Sequence, residues 1–283
     1  MAEDKLQPQR LELKYIISEI TAAGIRDFVS SFLEIDEFGA TRPNLCYPVH
    51  SLYLDSDDLR LYWETINGTK NRFKLRLRFY DNRPEAPVYF EIKRRMNNCI
   101  LKQRGGVRRD SVEWLLAGHI PEAAHLTAQG AKYQVALQRF CQRMSSLRAS
   151  PKVHISYLRE AWVSRNDNSI RVTMDRDIRA EQEYTTRLSA ERHNALLESF
   201  GHEVVLELKF TGRYPVWFQD MVRVFSLVQG GAAKYVEGVN IIGRHRLIQE
   251  APVHSLDAAS FSAARDEGVE TGESDDTMVQ EVS

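Results

Sequence analysis

The stretch Arg72-Phe73-Lys74-Leu75-Arg76-Leu77-Arg78-Phe79-Tyr80 constrains the fold most, because cations and large apolar side chains alternate along it one for one. Period-two alternation marks a β-strand with two unlike faces. Arg72, Lys74, Arg76 and Arg78 share one face; Phe73, Leu75, Leu77 and Phe79 share the other. Side chains two apart on a strand face lie roughly 7 Å from each other, given a rise of about 3.3 Å per residue. Four like charges so placed repel, and either water or an anion must offset them.

Recurrence decides between those two. Leu11-Glu12-Leu13-Lys14-Tyr15, Phe90-Glu91-Ile92-Lys93, Lys102-Gln103-Arg104, Arg171-Val172-Thr173-Met174-Asp175 and Leu206-Glu207-Leu208-Lys209-Phe210 repeat the pattern. If these strands join one curved sheet, the charged faces line a common interior and the apolar faces meet helices outside. A charged interior is costly unless a multiply charged ligand, with or without metal ions, compensates it. The pattern predicts an α+β protein: an antiparallel β-barrel tunnel with a charged interior, built to hold a polyanion.

The carboxylates are the second clue. Glu12, Glu91 and Glu207 each stand two residues before a lysine, on the same strand face. A carboxylate in a cationic lining either spaces the cations or ligates a hard divalent ion that bridges phosphate oxygens. Glu207 and Glu12 are the candidate metal ligands, and Glu91 reads as structural. No GxxxxGK[ST], GxGxxG, HExxH or GxSxG motif is present, so phosphate binding would fall to side-chain cations. Arginine suits it with a planar bidentate fork, and lysine with a mobile point charge.

Net charge is −1 over 283 residues, but it is unevenly spread. Residues 251–283 hold eight acids and one base, Arg265, which leaves 37 bases and 31 acids in the first 250 residues. The expected organisation is a polar lead-in over 1–9, one catalytic domain over 10–250 and an acidic, disordered tail over 251–283. Helices are expected over 18–33, from Asp57 to about Asn67-Gly68, over a short stretch after Asp110, over 131–147 and over 214–228, with Lys234-Tyr235 in a loop. Three cysteines without paired spacing and no apolar leader make a reducing, cytoplasmic location the default expectation. Nucleic acid is disfavoured as a partner, because no aromatics are seen interleaved on the charged faces.

Together these segments resemble the vacuolar transporter chaperone (VTC) family, the polyphosphate polymerase branch of the CYTH-like triphosphate tunnel metalloenzymes. The resemblance rests on Ser51-Leu52-Tyr53-Leu54-Asp55 with Asp57, Asp58, Leu59 and Tyr62, on Leu75 to Tyr80, on Phe90-Glu91-Ile92-Lys93 and on Lys102 and Arg159. It continues through Ile170 to Asp175 and Leu206-Glu207-Leu208-Lys209 to Lys234-Tyr235, covering about residues 8–248. It implies a tunnel that binds a triphosphate with Mg²⁺ or Mn²⁺. Phosphate contacts would come from Lys14, Arg76, Arg78, Lys93, Lys102, Arg159, Arg171 and Lys234, with Arg76, Arg78, Lys93, Arg171 and Lys234 closest to the chemistry. The strand faces add Arg72, Lys74, Arg104 and Lys209 to the phosphate-binding set, and the family reading gives Glu207 the metal. The superfamily's ExExK signature stands here as Arg10-Leu11-Glu12-Leu13-Lys14, a departure that argues against a two-metal hydrolytic mechanism.

The expected activity is metal-dependent transfer of the γ-phosphoryl of ATP onto a growing polyphosphate chain. A triphosphatase of the same fold and a polyphosphate-binding module without turnover are the alternatives. ATP and polyphosphate or pyrophosphate are the expected partners. The inositol-phosphate-sensing domain and transmembrane segments common in eukaryotic relatives are not seen in this sequence. Oligomeric state and a membrane partner stay open.

Overall fold

The computed structural model describes residues 10–96, 99–165, 169–186, 188–191 and 197–248. The expected lead-in, the Asn97-Asn98 turn and the acidic tail lie outside them. The alternating segments all form strands: β1 (Arg10–Ile17), β2 (Glu34–Ile35), β3 (Cys46–Asp55), β4 (Asn71–Phe79), β5 (Val88–Met96), β6 (Cys99–Val107), β7 (Ser150–Val163), β8 (Ile170–Gln182), β9 (Leu197–Glu198) and β10 (Val204–Thr211). They make one antiparallel sheet in the order β1-β10-β8-β7-β3-β4-β5-β6, with β2 added to β7 and β9 to β8. The helices are α1 (Glu19–Val29), α2 (Glu37–Ala40), α3 (Arg60–Ile66), α4 (Val112–Leu116), α5 (Ala131–Leu147), α6 (Val216–Val224), α7 (Lys234–Ile242) and α8 (Arg244–Leu247). The protein is therefore α+β, as the alternation requires.

Closure of the barrel is where the structure departs from expectation. Among the described residues no ladder joins the end strands β1 and β6. The reason is local. Tyr15 bridges to Gln229, and the Gly230 amide donates to the Lys14 carbonyl at 3.0 Å, so the segment after α6 occupies the free edge of β1. On β6, Val107 bridges to Leu126. The two ends of the sheet are linked instead by side chains: Lys93 on β5 donates to Glu12 on β1 at 3.1 Å. Register shifts in the β3–β7 and β7–β8 pairs, the second beside Asp177 at φ 51°, bend the long strands that carry the curvature.

The apolar strand faces cover two separate cores on the convex side. Leu75, Leu77, Phe79, Phe90 and Ile92 meet α4 and α5 through Val112, Leu115, Leu137 and Phe140. Leu206, Leu208, Phe210, Val172 and Met174 meet α1 and α6 through Ala22, Ile25, Phe218 and Met221. Truncating a buried aromatic such as Phe140 to alanine should cost about 3–5 kcal/mol.

The third core corrects the expectation that the charged faces line the interior and all helices pack outside. Val49, Tyr53, Val153, Ile155 and Ala180 belong to the concave face, and α7 packs onto them with Tyr235, Val236, Val239 and Ile242. Lys234 and Tyr235 therefore open a helix rather than lie in a loop. Gly238 permits that approach, since a Cβ there would stand 2.6 Å from the Ile155 side chain. Asp55 ties the helix down: its carboxylate accepts from the amides of Leu61 and Tyr62 at 2.9 Å and from the Tyr235 hydroxyl at 2.6 Å. Asp55 thus caps the first turn of α3, the Ser56 hydroxyl accepts from the Arg60 amide at 3.1 Å, and the helix starts at Arg60 rather than at the expected Asp57.

Candidate active site

The concave face encloses a cavity of about 480 Å³, a size that suits a small ligand. Lys14, Lys74, Arg76, Arg78, Lys93, Lys102, Arg104, Arg159, Arg171, Lys209 and Lys234 line it, eleven cations against two carboxylates, Glu12 and Glu207. Of the candidate phosphate- and metal-binding residues, Arg72 alone stands apart: it is outside the lining, and its guanidinium donates to the Thr69 carbonyl at 2.7 Å.

Cross-strand register explains how so much charge is held together. Opposite charges facing across strands stabilise a sheet and like charges destabilise it. The two Glu-Leu-Lys segments run antiparallel, which sets Glu12 opposite Lys209 and Lys14 opposite Glu207. Lys14 sits 3.2 Å from Glu12 and 3.4 Å from Glu207, and Lys234 reaches Glu207 at 3.3 Å and Asp175 at 2.7 Å. Lys209 also donates to Glu207, and Arg159 holds Asp175 with two bonds of 2.6 and 2.7 Å. Burial opposes ionisation of Glu207, but Lys209, Lys234, Lys14 and Arg159 outweigh it and hold the carboxyl well below its usual range. Asp175 is brought down to about 2, burial being overcome by Arg159 and Lys234.

Across the cavity the register is less favourable. Lys74 faces Lys93, and Lys93 faces Lys102. Arg76 has Glu91 as neighbour, and Glu91, fully buried, bridges Arg76 at 2.7 Å and Lys102 at 2.5 Å. Burial, with Lys14, Lys93 and Arg72 nearby, drives the Lys74 ammonium well below its ordinary value. Burial pulls Lys102 down to about 7 despite Glu91. Arg78 is buried and donates to the Tyr157 hydroxyl at 2.9 Å and to Ser51 at 3.3 Å; among the described residues no carboxylate is bonded to it, though the Glu91 charge favours its ionised form. Arg171 donates to Asp36 at 2.8 Å. Arg104 lies 4.8 Å from the centre of the Tyr89 ring.

Sequence reasoning missed the aromatic component. Tyr47, Tyr53, Tyr80, Tyr157 and Tyr235 line the cavity too, which corrects the expectation that its charged faces carry no aromatics. Their rings have other partners. Lys234 and Arg159 lie 5.1 and 5.2 Å from the Tyr157 ring centre, and Tyr53 stacks on Tyr235 at 5.0 Å. Asp175 also escaped assignment, although its place two residues after Thr173 on the Arg171 face pointed inward.

A divalent cation must be weighed against these donors. Among the described residues no three carboxylate, histidine or cysteine groups converge as a ready-made metal cage. Glu12 and Glu207, joined through Lys14, do match the way Mg²⁺ is commonly held, by one or two carboxylates with ligand oxygens completing the shell. The donor set fits a metal that arrives with a phosphate ligand.

Fold and cavity thus define a class: an α+β protein whose curved antiparallel sheet encloses a strongly cationic hollow. The VTC domain model matches residues 9–242, and the chain belongs to the VTC domain family. Membership ties it to polyphosphate and triphosphate chemistry. No curated protein matches at a significant level. Among solved structures, a candidate adenylate cyclase from Bacillus halodurans is similar at 15% identity and a TM-score of 0.43, over 80% of this chain and 94% of that one. The PH1819 protein from Pyrococcus horikoshii OT3 is similar at 9% identity and a TM-score of 0.42, over 83% and 99%. Among the described residues no helix is long and apolar enough to cross a membrane.

Proposed function

We propose that this protein is a metal-dependent polyphosphate polymerase that moves the γ-phosphoryl of ATP onto the end of a polyphosphate chain. The observation that carries the reading is the lining: eleven cations and two carboxylates around one cavity of about 480 Å³. Only a ligand with several adjacent negative charges repays that arrangement.

Phosphoryl transfer asks for positioning and charge neutralisation more than for covalent chemistry by the protein. Arg76, Arg78 and Arg159 offer guanidinium forks, fixed by Glu91, Tyr157 and Asp175, for oxygens on successive phosphates. Lys74, Lys93 and Lys102 supply charge along the same path. The acceptor, a terminal phosphate, is already ionised at neutral pH, so no general base is needed. Its oxygen attacks the γ-phosphorus, the bond from that phosphorus to the β–γ bridging oxygen breaks, and ADP leaves. Glu207 and Glu12 would hold Mg²⁺ or Mn²⁺, which would supply charge neutralisation for the phosphoryl transfer.

Incubating the purified protein with ATP and Mn²⁺ or Mg²⁺, then resolving products on a gel beside a phosphate assay, tests this reading. A ladder of polyphosphate with matching ADP is expected. Free phosphate without polymer would assign a triphosphatase instead, and binding without turnover a polyphosphate-binding module.

A further inference from the structure

A second cavity, of about 300 Å³, lies on the convex side between α5 and the β5–β6 hairpin, lined in part by Arg94, Lys102, Gln103, Arg139 and Arg143. Its lining holds no carboxylate. That is unlike much of the surface, where Arg60, Arg83, Arg108, Arg165, Arg179 and Arg223 each lie within 4.0 Å of an acid. Among the described residues Arg94, Arg139 and Arg143 have no such neighbour.

One member of the cluster is held in place by packing. Arg139 and Arg143 are four apart on α5, hence on one helix face. Arg143 stacks over Phe73 at 4.5 Å, and Phe73 on β4 is the cross-strand partner of Arg94 on β5. Clustered guanidinium groups that repel one another and, among the described residues, meet no acid suit an anion from outside.

Its position says which anion. Lys102, on the edge strand β6, lines both cavities, so a single strand separates the hollow from the outer site. The concave face is occupied towards β7 and β8 by α7, whereas the row Lys74–Lys93–Lys102 runs the other way, to the β6 edge that no β1 ladder covers.

We propose that the outer cavity is a second binding site for a condensed phosphate chain, taking the part of the chain that extends past the β6 edge. The site would give long chains a grip that short ones cannot have, since only a chain longer than the inner cavity reaches both. It rests on the polyphosphate reading of the inner cavity, and its test is chosen so that the two can fail separately.

The full chain is titrated with three probes, tripolyphosphate, a long-chain polyphosphate and a single-stranded oligonucleotide, at several salt concentrations. Arg139→Ala with Arg143→Ala should weaken long-chain binding about tenfold and reduce its salt slope by about one for each arginine removed. Tripolyphosphate binding should not change. Because Arg143 packs on Phe73, Arg139→Glu alone is the second variant: it sits on the exposed side of α5 and should lower long-chain affinity with the melting temperature unmoved. Replacing both arginines with lysine should restore the salt slope. Unchanged long-chain affinity, an equal loss for tripolyphosphate and the long chain, or an equal loss for the oligonucleotide would overturn the proposal. If the wild type makes no polymer from ATP but the selective long-chain loss holds, the polymerase reading falls and the outer site stands.

Discussion

The two walls of the cavity solve the same electrostatic problem differently. On the β1–β10 wall, antiparallel Glu-Leu-Lys segments place Glu12 against Lys209 and Lys14 against Glu207, so every charge meets its opposite. On the β4–β5–β6 wall, Lys74, Lys93 and Lys102 face one another directly, with Glu91 shared between Arg76 and Lys102. The first wall is stable without a ligand. The second carries repulsion, stored until an anion relieves it. The same residue types therefore have opposite effects: removing an acid from the first wall should destabilise the fold, and removing a lysine from the second should stabilise the ligand-free protein.

Glu207→Gln makes the largest break. The substitution keeps the shape but leaves Lys209, Lys234 and Lys14 without their common partner. Uncompensated buried charge costs about 3–5 kcal/mol, which lowers the melting temperature on the order of 10 °C. If Glu207 also holds the divalent ion, turnover should fall about a hundredfold or more and the metal midpoint should rise. Titrating Mn²⁺ and Mg²⁺ against polymer formation reads both. An unmoved midpoint with retained activity would reduce Glu207 to a spacer between cations.

Next comes Arg78→Ala on the opposite wall, alongside Arg76→Ala. Among the described residues Arg78 hydrogen-bonds the neutral Tyr157 and Ser51 and no carboxylate, so its charge can serve the ligand. Loss of one charge-assisted contact costs about 1.5–3 kcal/mol, tenfold or more in turnover if it is felt at the transition state. Near-normal kcat in both variants would mean that the phosphates do not lie along β4.

Both predictions rest on residues visible in the sequence, and the reason is physical. Period two is a local property, so Arg76, Glu91, Lys93 and Glu207 could be set on one face from their neighbours alone. Which charge faces which across strands depends on register, a long-range property that no single segment encodes. The pairing of Lys14 with Glu207 and the row of three lysines were therefore not legible. Helix α7 was hidden for another reason. Tyr235, Val236, Val239 and Ile242 have helical spacing, but Gly238 and the preceding Gly230-Gly231 read as loop. The edge of β1 is taken by Gln229 and Gly230, a contact with no pattern at all, and so the open seam was missed.

Lys74→Met should have a smaller effect of opposite sign. Lys74 is a cation pressed between Lys93 and Arg72 in a buried wall, with no acid bonded to it among the described residues. Replacing it by an apolar side chain of similar length should raise the melting temperature of the ligand-free protein by about 2–4 °C, equivalent to roughly 1 kcal/mol. Triphosphate affinity should drop about fivefold at the same time, a discounted charge-assisted contact. A scan with and without tripolyphosphate measures both. A variant less stable than wild type without ligand would show that the lysine wall carries no stored repulsion.

The smallest effect is a pH dependence from the same wall. Burial sets the Lys102 ammonium at about 7 against its ordinary 10.5, with Arg78 and Arg76 adding repulsion and Glu91 resisting. Between those values the unfolded chain holds a proton that the folded chain lacks, so this lysine makes the ligand-free fold more stable as pH rises from about 7 towards 10.5. Below about 7 the full cost of its buried charge is present. A bound phosphate reverses the preference, because the charged form then has a partner. Binding should take up a proton above neutrality, and affinity should weaken as pH climbs. The side chain is 40% exposed, so screening limits the loss to about threefold over the first two pH units above the Lys102 midpoint. Calorimetry in buffers of different ionisation enthalpy counts the proton directly. Lys102→Arg, charged throughout, should bind tripolyphosphate with less proton uptake and a flatter profile, and identical uptake in the two proteins would place the titrating group elsewhere in the wall.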